Sequence, residues 1–297
     1  MASRERDMKQ RKRGVRAGVI GAAAAALFSL GVSGQASAAA IKVEITNLAP
    51  QGGIFLTPMW VAFHNGQFDI YDRNVAVFNN GLEQLAEDGN NGPIGAAFRN
   101  SAAGMNGGIE ATITAPGGLA GPPVIDPGET TSQTFQLDPA SNRYFSYASM
   151  IIASNDAFIA NGDPLAHMLF DTDGDFTGPV EILVLGMDVL DAGTEENTEM
   201  DAAFINQAMA DDGIPENGVV TEHPGFIGSE GNPGGTPIIL GGTNALGATF
   251  DEIAADFTRE GYQVARITIT REVPEPAALG FVALGLAGLG LLRRKRR

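Results

Sequence analysis

Apolar and polar side chains alternate with a period of two at both ends of the central region. Ile41, Val43 and Ile45 alternate with Lys42, Glu44 and Thr46, and 262–270 repeats the pattern through Val264, Arg266, Ile267 and Ile269. That period lines one face of a pleated strand with apolar groups and leaves the other wet. Shorter strand candidates lie between, at 110–114, 133–137, 145–153 and 180–185. Clusters of Gly, Pro, Asn and Asp at 116–127, 161–164 and 232–237 separate them, and these residues set turns. Half-apolar strands need a second sheet to bury against. The spacing therefore predicts an all-β fold, an antiparallel β-sandwich with long Gly/Pro/Asp-rich loops. Two stretches suggest short helices, 81–87 and 201–210. In the second, Ala203, Phe204 and Gln207 share a face.

Cysteine is absent from the 297 residues, which excludes a disulfide scaffold, a thiol nucleophile and a thiolate metal site. The chain has 35 acidic and 19 basic side chains, and their distribution is uneven. Residues 39–273 hold seven basic and 32 acidic side chains, a balance of −25. Such a body offers little to neutralise phosphates, so no nucleic-acid partner is expected.

The other 12 basic residues sit at the two ends. Residues 4–16 are basic, 17–34 are small and apolar, and Ala36 and Ala38 occupy the small-residue positions of a cleavage site. This is the pattern of a secretory signal peptide spanning 1–38, removed by signal peptidase after Ala38, with Ala40 as a second option. A retained N-terminal anchor is the alternative. At the other end Pro274-Glu275-Pro276 precedes the apolar stretch 277–292 and then Arg293-Arg294-Lys295-Arg296-Arg297. Sixteen residues make a helix of roughly 24 Å, slightly short of a comfortable span, and the basic end would stay cytoplasmic. The tail 273–297 resembles the PEP-CTERM sorting signal of Gram-negative bacteria. That resemblance implies transient membrane association through the C-terminal helix, then recognition by an exosortase. It also implies a setting of exopolysaccharide production and biofilm. A plain single-span anchor is the alternative. Both readings place 39–272 outside the cytoplasm.

Four segments occur in a telling order. They are Thr46-Asn47-Leu48-Ala49-Pro50 with Leu56-Thr57-Pro58 and His64-Asn65-Gly66; 81–89 (GLEQLAEDG); 145–158 (FSYASMIIASNDAF); and 191–197 (DAGTEEN) with His223-Pro224-Gly225-Phe226. Together they resemble the spondin N-terminal domain family over roughly 41–270. The resemblance implies a β-sandwich, an extracellular adhesion role and a calcium ion at one edge of the sandwich. It maps calcium ligands onto Asp156 and Asp191, with Glu195 next. Asp138 is a weaker stand-in for a further acidic ligand that has no clean counterpart here. The cysteine-rich modules of the animal members are absent, which puts their partners, such as integrins, in doubt. Read without the resemblance, Ser154-Asn155-Asp156 and 191–195 are acidic turns. They could bring hard oxygens to Ca²⁺ or serve only as turn residues.

Other motifs point less far. Asp171-Thr172-Asp173-Gly174-Asp175 has its glycine in the wrong place for an EF-hand and reads as a hairpin turn between 167–170 and 180–185. His64, His167 and His223 lack zinc spacing, and no G-x-S-x-G occurs. Adjacent acids are common in so acidic a body, so no pair singles out a glycosidase. The expectation is an exported, non-catalytic, calcium-binding surface or matrix protein. It would act in adhesion or in organising extracellular polysaccharide, or bind another surface protein. The alternative is an exported carboxylate-dependent enzyme acting on exopolysaccharide. A structural surface protein without a specific ligand is a third reading.

Overall fold

The computed structural model describes residues 38–115, 123–245 and 247–272. The expected signal peptide before Ala38 and the sorting tail 273–297 lie outside the described residues. Within them no helix is long and apolar enough to cross a membrane.

In chain order the elements are β1 (Ala39–Asn47), β2 (Phe55–Leu56), β3 (Met59–His64), α1 (Leu82–Asp88), α2 (Asn91–Asn100), α3 (Ala102–Met105), β4 (Ile109–Ile113), β5 (Thr130–Leu137), β6 (Tyr144–Ile152), β7 (Ala157–Ala160), β8 (His167–Met168), β9 (Val180–Leu185), β10 (Leu190–Asp191), β11 (Thr221–Glu222) and β12 (Gln263–Arg271). Two antiparallel sheets form, ordered β5-β1-β12-β9 and β11-β10-β7-β6-β3-β4, with β2 and β8 also paired to β6. The expected all-β sandwich is present.

Alternation explains the first sheet. Ile41, Val43 and Ile45 of β1 and Ala265, Ile267 and Ile269 of β12 enter the core between the sheets, and Val264 joins them at an irregularity in register between Gln263 and Ala265. The second sheet is buried on both faces. Val61 and Phe63 of β3 and Phe145, Tyr147 and Ile151 of β6 face the first sheet. Trp60, Ala62 and Ala148 face a separate core built with the helices. There Phe98 of α2 packs edge-on to Trp60 at 5.8 Å and to Phe68 at 5.1 Å. The sandwich thus carries a third, helical layer.

The helix expectations need correction. The stretch 81–87 matches α1, but 201–210 is a series of turns. Asp201 and Phe204 have φ of 59° and 65°, and Ala203 bridges to Ser154. A helix would break that bridge. Conversely, α2 forms from NGPIGAAFRN, which reads as a loop. The Asn90 side chain caps it by accepting from Gly92 N at 3.1 Å. Pro93 stands in the first turn, where its missing N–H leaves no intrahelical bond unmade. The 171–175 turn is present, with Asp171 Oδ1 accepting from the Asp173 and Asp175 amides at 2.9 Å. Its immediate flanks pair, with Phe170 bridging Phe176 and Thr177 N donating to Leu169 O at 2.9 Å, but β8 and β9 further out do not pair with each other. β8 joins β6 and β9 joins β12, so the turn lies on a crossover between sheets.

Register fixes the two ends of the sandwich. Ile41 pairs with Arg271, and Glu272 N donates to Ala40 O at 2.8 Å. The body therefore begins and ends on neighbouring strands at one end. At the far end Asn47 pairs with Ala265, and its Nδ2 donates to Ile54 O at 2.9 Å and Ile125 O at 3.0 Å. Phe55 pairs with Ile152, so β6 also finishes at this far end.

Candidate functional site at the far end of the sandwich

The chain leaves β6 through Ala153-Ser154-Asn155-Asp156 and returns as β7. Ser154 closes this turn, its Oγ donating to Ile151 O at 2.8 Å and accepting from Ala157 N at 3.1 Å. Asp156 is thereby held at 0 % exposure. Asp191 pairs with Ala157, so the β7–β10 register sets it beside Asp156. Asp156 Oδ2 accepts from Thr194 N at 2.8 Å, Glu195 N at 3.2 Å and Thr194 Oγ1 at 3.3 Å. Its Oδ1 is buried with no partner. Asp191 Oδ1 accepts from Gly193 N at 2.7 Å, and Oδ2 accepts from Asn197 Nδ2. Gly193 turns the chain with φ of 69°, a conformation most side chains avoid.

Glu195 is also buried, with Oε1 accepting from Gly213 N at 3.1 Å. It gathers two acids that sequence reasoning did not assign. One oxygen each of Glu87, Glu195 and Asp211 lies within 4.8 Å of the others. Glu87 comes from the last turn of α1, and Asp88 beside it accepts from Gln207 Nε2 at 3.0 Å and from Asp211 N at 3.4 Å. Nothing in the spacing of 87, 195 and 211 announces this meeting, because long loops create it.

Burial, then the charge of Asp191, pushes the Asp156 carboxyl up to about 7, against the pull of the Thr194 and Glu195 hydrogen bonds. Burial pushes Glu87 up to about 8, with Glu195, Glu83 and Asp211 adding to it and a Thr194 hydrogen bond opposing. Asp191 and Glu195 are also raised, chiefly by burial. The ion pairs among the described residues are Lys42–Glu44, Arg73–Glu222, Arg99–Glu110 and Arg259–Glu230, and none reaches these acids.

Asp138 does not join them. It is exposed and opens the turn between β5 and β6, its Oδ1 accepting from Ala140 N at 3.0 Å. β5 runs toward the start of β6, so Asp138 lies at the other end of a strand of ~30 Å. Two of the three histidines stand apart. His64 Nδ1 accepts from Gly66 N at 2.9 Å and its Nε2 meets Ser146 Oγ at 2.9 Å, while His167 lies against Phe145 and Tyr147. His223 contacts Asn197. A cavity of about 350 Å³ opens beside His223, between Met187, Arg259 and Tyr262. It is lined by neither Asp156 nor Glu87.

A family model described as the PEP-CTERM protein-sorting motif matches residues 272–297. It marks an exported, cell-surface-directed protein of Gram-negative bacteria, processed by exosortase during export. No curated protein matches the chain.

Proposed function

We propose that the exported body is a non-catalytic, spondin-like β-sandwich that binds Ca²⁺ through Asp156 and Asp191, with Glu195 linking that pair to Glu87 and Asp211. It would serve adhesion or the organisation of extracellular polysaccharide in a biofilm. One observation carries the reading. A buried carboxylate, Asp156, keeps an oxygen without a partner next to a second buried carboxylate, with no cationic side chain paired to either. Such an arrangement is costly alone and is relieved by a cation with hard oxygen ligands. The oxygens of Asp156 and Asp191, with Glu195 near by, are hard carboxylate ligands of the kind calcium takes.

The test is thermal melting of the exported protein in millimolar Ca²⁺ and in EDTA. The wild type should melt higher with Ca²⁺, because binding to the folded form alone stabilises it. Asp156→Ala/Asp191→Ala should lose the difference. A wild type indifferent to Ca²⁺ would sink the calcium reading.

The enzyme reading is favoured by one observation, the Glu87 carboxyl held at about 8 within reach of Glu195. A carboxyl that stays protonated near neutral pH beside a second carboxyl can serve as a general acid. Incubation with the host exopolysaccharide decides: new reducing ends that vanish in Glu87→Gln would establish catalysis.

A further inference from the structure

Among the described residues, Asp191 is the buried acid whose carboxylate is met by a side-chain amide that is itself held by a second side chain. His223 lies in an aromatic wall, its ring 6.1 Å from Phe226 and 5.4 Å from Phe257. Its Nδ1 accepts from Gly225 N at 3.0 Å, so that nitrogen carries no proton. The ring proton therefore sits on Nε2, which meets Asn197 Oδ1 at 2.9 Å. An Asn whose oxygen accepts from His223 must turn its NH₂ the other way, and Asn197 Nδ2 donates to Asp191 Oδ2. Backbone amide, imidazole, side-chain amide and carboxylate form one chain of donors with a single direction.

We infer that His223, acting through Asn197, is a positioning residue that holds Asp191 ready for a hard divalent cation; this rests on the calcium reading above. The chemistry explains why a neutral relay stands here. A Lys or Arg at position 197 would hold the carboxylate equally well but would cancel its charge and repel a cation. The amide fixes the rotamer and leaves the charge. Partners of this kind behind a metal ligand are worth ~10–100-fold in metal affinity. Asp156 is held differently, by backbone amides and Thr194, so the relay acts on Asp191 alone.

The experiment combines calorimetric Ca²⁺ titration of the mature exported protein with NMR of the Asn197 side-chain amide in the metal-free state. His223→Phe keeps an aromatic ring but has no donor. It should weaken Ca²⁺ binding by ~10-fold or more and displace the Asn197 amide signals. His223→Gln, which can donate again, should recover most of both. Asn197→Ser cuts the relay without touching the aromatic wall. It should weaken binding comparably, and adding His223→Phe to it should cost little further, since the two act as a unit. Unchanged affinity in both single variants overturns the inference, as does an Asn197 amide unmoved by His223→Phe. If the wild type takes up no Ca²⁺ while the amide still responds to His223→Phe, the calcium reading fails and the positioning of Asp191 stands.

Discussion

Asp156 and Glu87 hold protons more tightly in the folded chain than in the unfolded one, at about 7 against 3.8 and about 8 against 4.5. A raised folded-state value means that the associated stability is full below the unfolded value and drains away as pH rises through the folded one. The windows are therefore 3.8 to about 7 for Asp156 and 4.5 to about 8 for Glu87. The slope is at most about 1.4 kcal/mol per pH unit per group. In EDTA the melting temperature should fall as pH is taken from about 5 to about 8, and Ca²⁺ should offset much of the fall. Asp156→Asn should melt higher than wild type at pH ~8 in EDTA, since it removes an ionised group that burial penalises. A flat profile would show that these carboxyls are wetter than the structure places them. Asn47 acts by hydrogen bonds instead. Its side chain joins the end of β1 to Ile54 and Ile125 and accepts from Ala49 N at 2.9 Å. Asn47→Ala should cost ~2–4 kcal/mol in urea unfolding, because buried backbone groups lose their partners. The resemblance singled out Asn47, Asp156 and Asp191, but no pattern could show what each one touches.

Among the elements, one-sided burial made the first sheet legible, and length made β6 legible although it is dry on both faces. β1 and β12 are wet on one side, so their alternation was plain and their bounds were nearly right. β3 (MWVAFH) is buried on both sides, and its short apolar run shows no period to mark it as a strand. The helical layer was half visible. α1 stood out through Leu82, Leu85 and Ala86, while α2 hid behind Asn-Gly-Pro, residues that here cap and start a helix. At 201–210 local helical spacing lost to a bridge with Ser154 and to left-handed Asp201 and Phe204. Asp211 reaches Glu87 and Glu195 from that same loop, so the second acidic group depends on a conformation that helical spacing does not reveal. The helical layer matters to stability. Phe98 is fully buried between Trp60 and Phe68, and Phe98→Ala should cost ~3–5 kcal/mol by urea unfolding. A loss below ~1 kcal/mol would mean that α2 is a detachable flap.

For the whole molecule, the sorting motif was the most legible feature, because an exosortase must read it locally. Replacing Pro274, Glu275 and Pro276 by Ala should leave the tail on the exported protein. Mass spectrometry of the mature C-terminus checks this, and an intact Arg293–Arg297 end in the wild type would contradict processing. The two ends of the sandwich body also have a mechanical consequence. Ala40 and Glu272 lie side by side on antiparallel neighbours. Pulling those two ends apart would open the β1–β12 ladder like a zip, one hydrogen bond at a time. A load running from the tail to a partner gripped at the Asp156 end would instead act along the strands and stress the ladder bonds together. Flow pulling on a cell held in this way would meet the domain in its stiff direction.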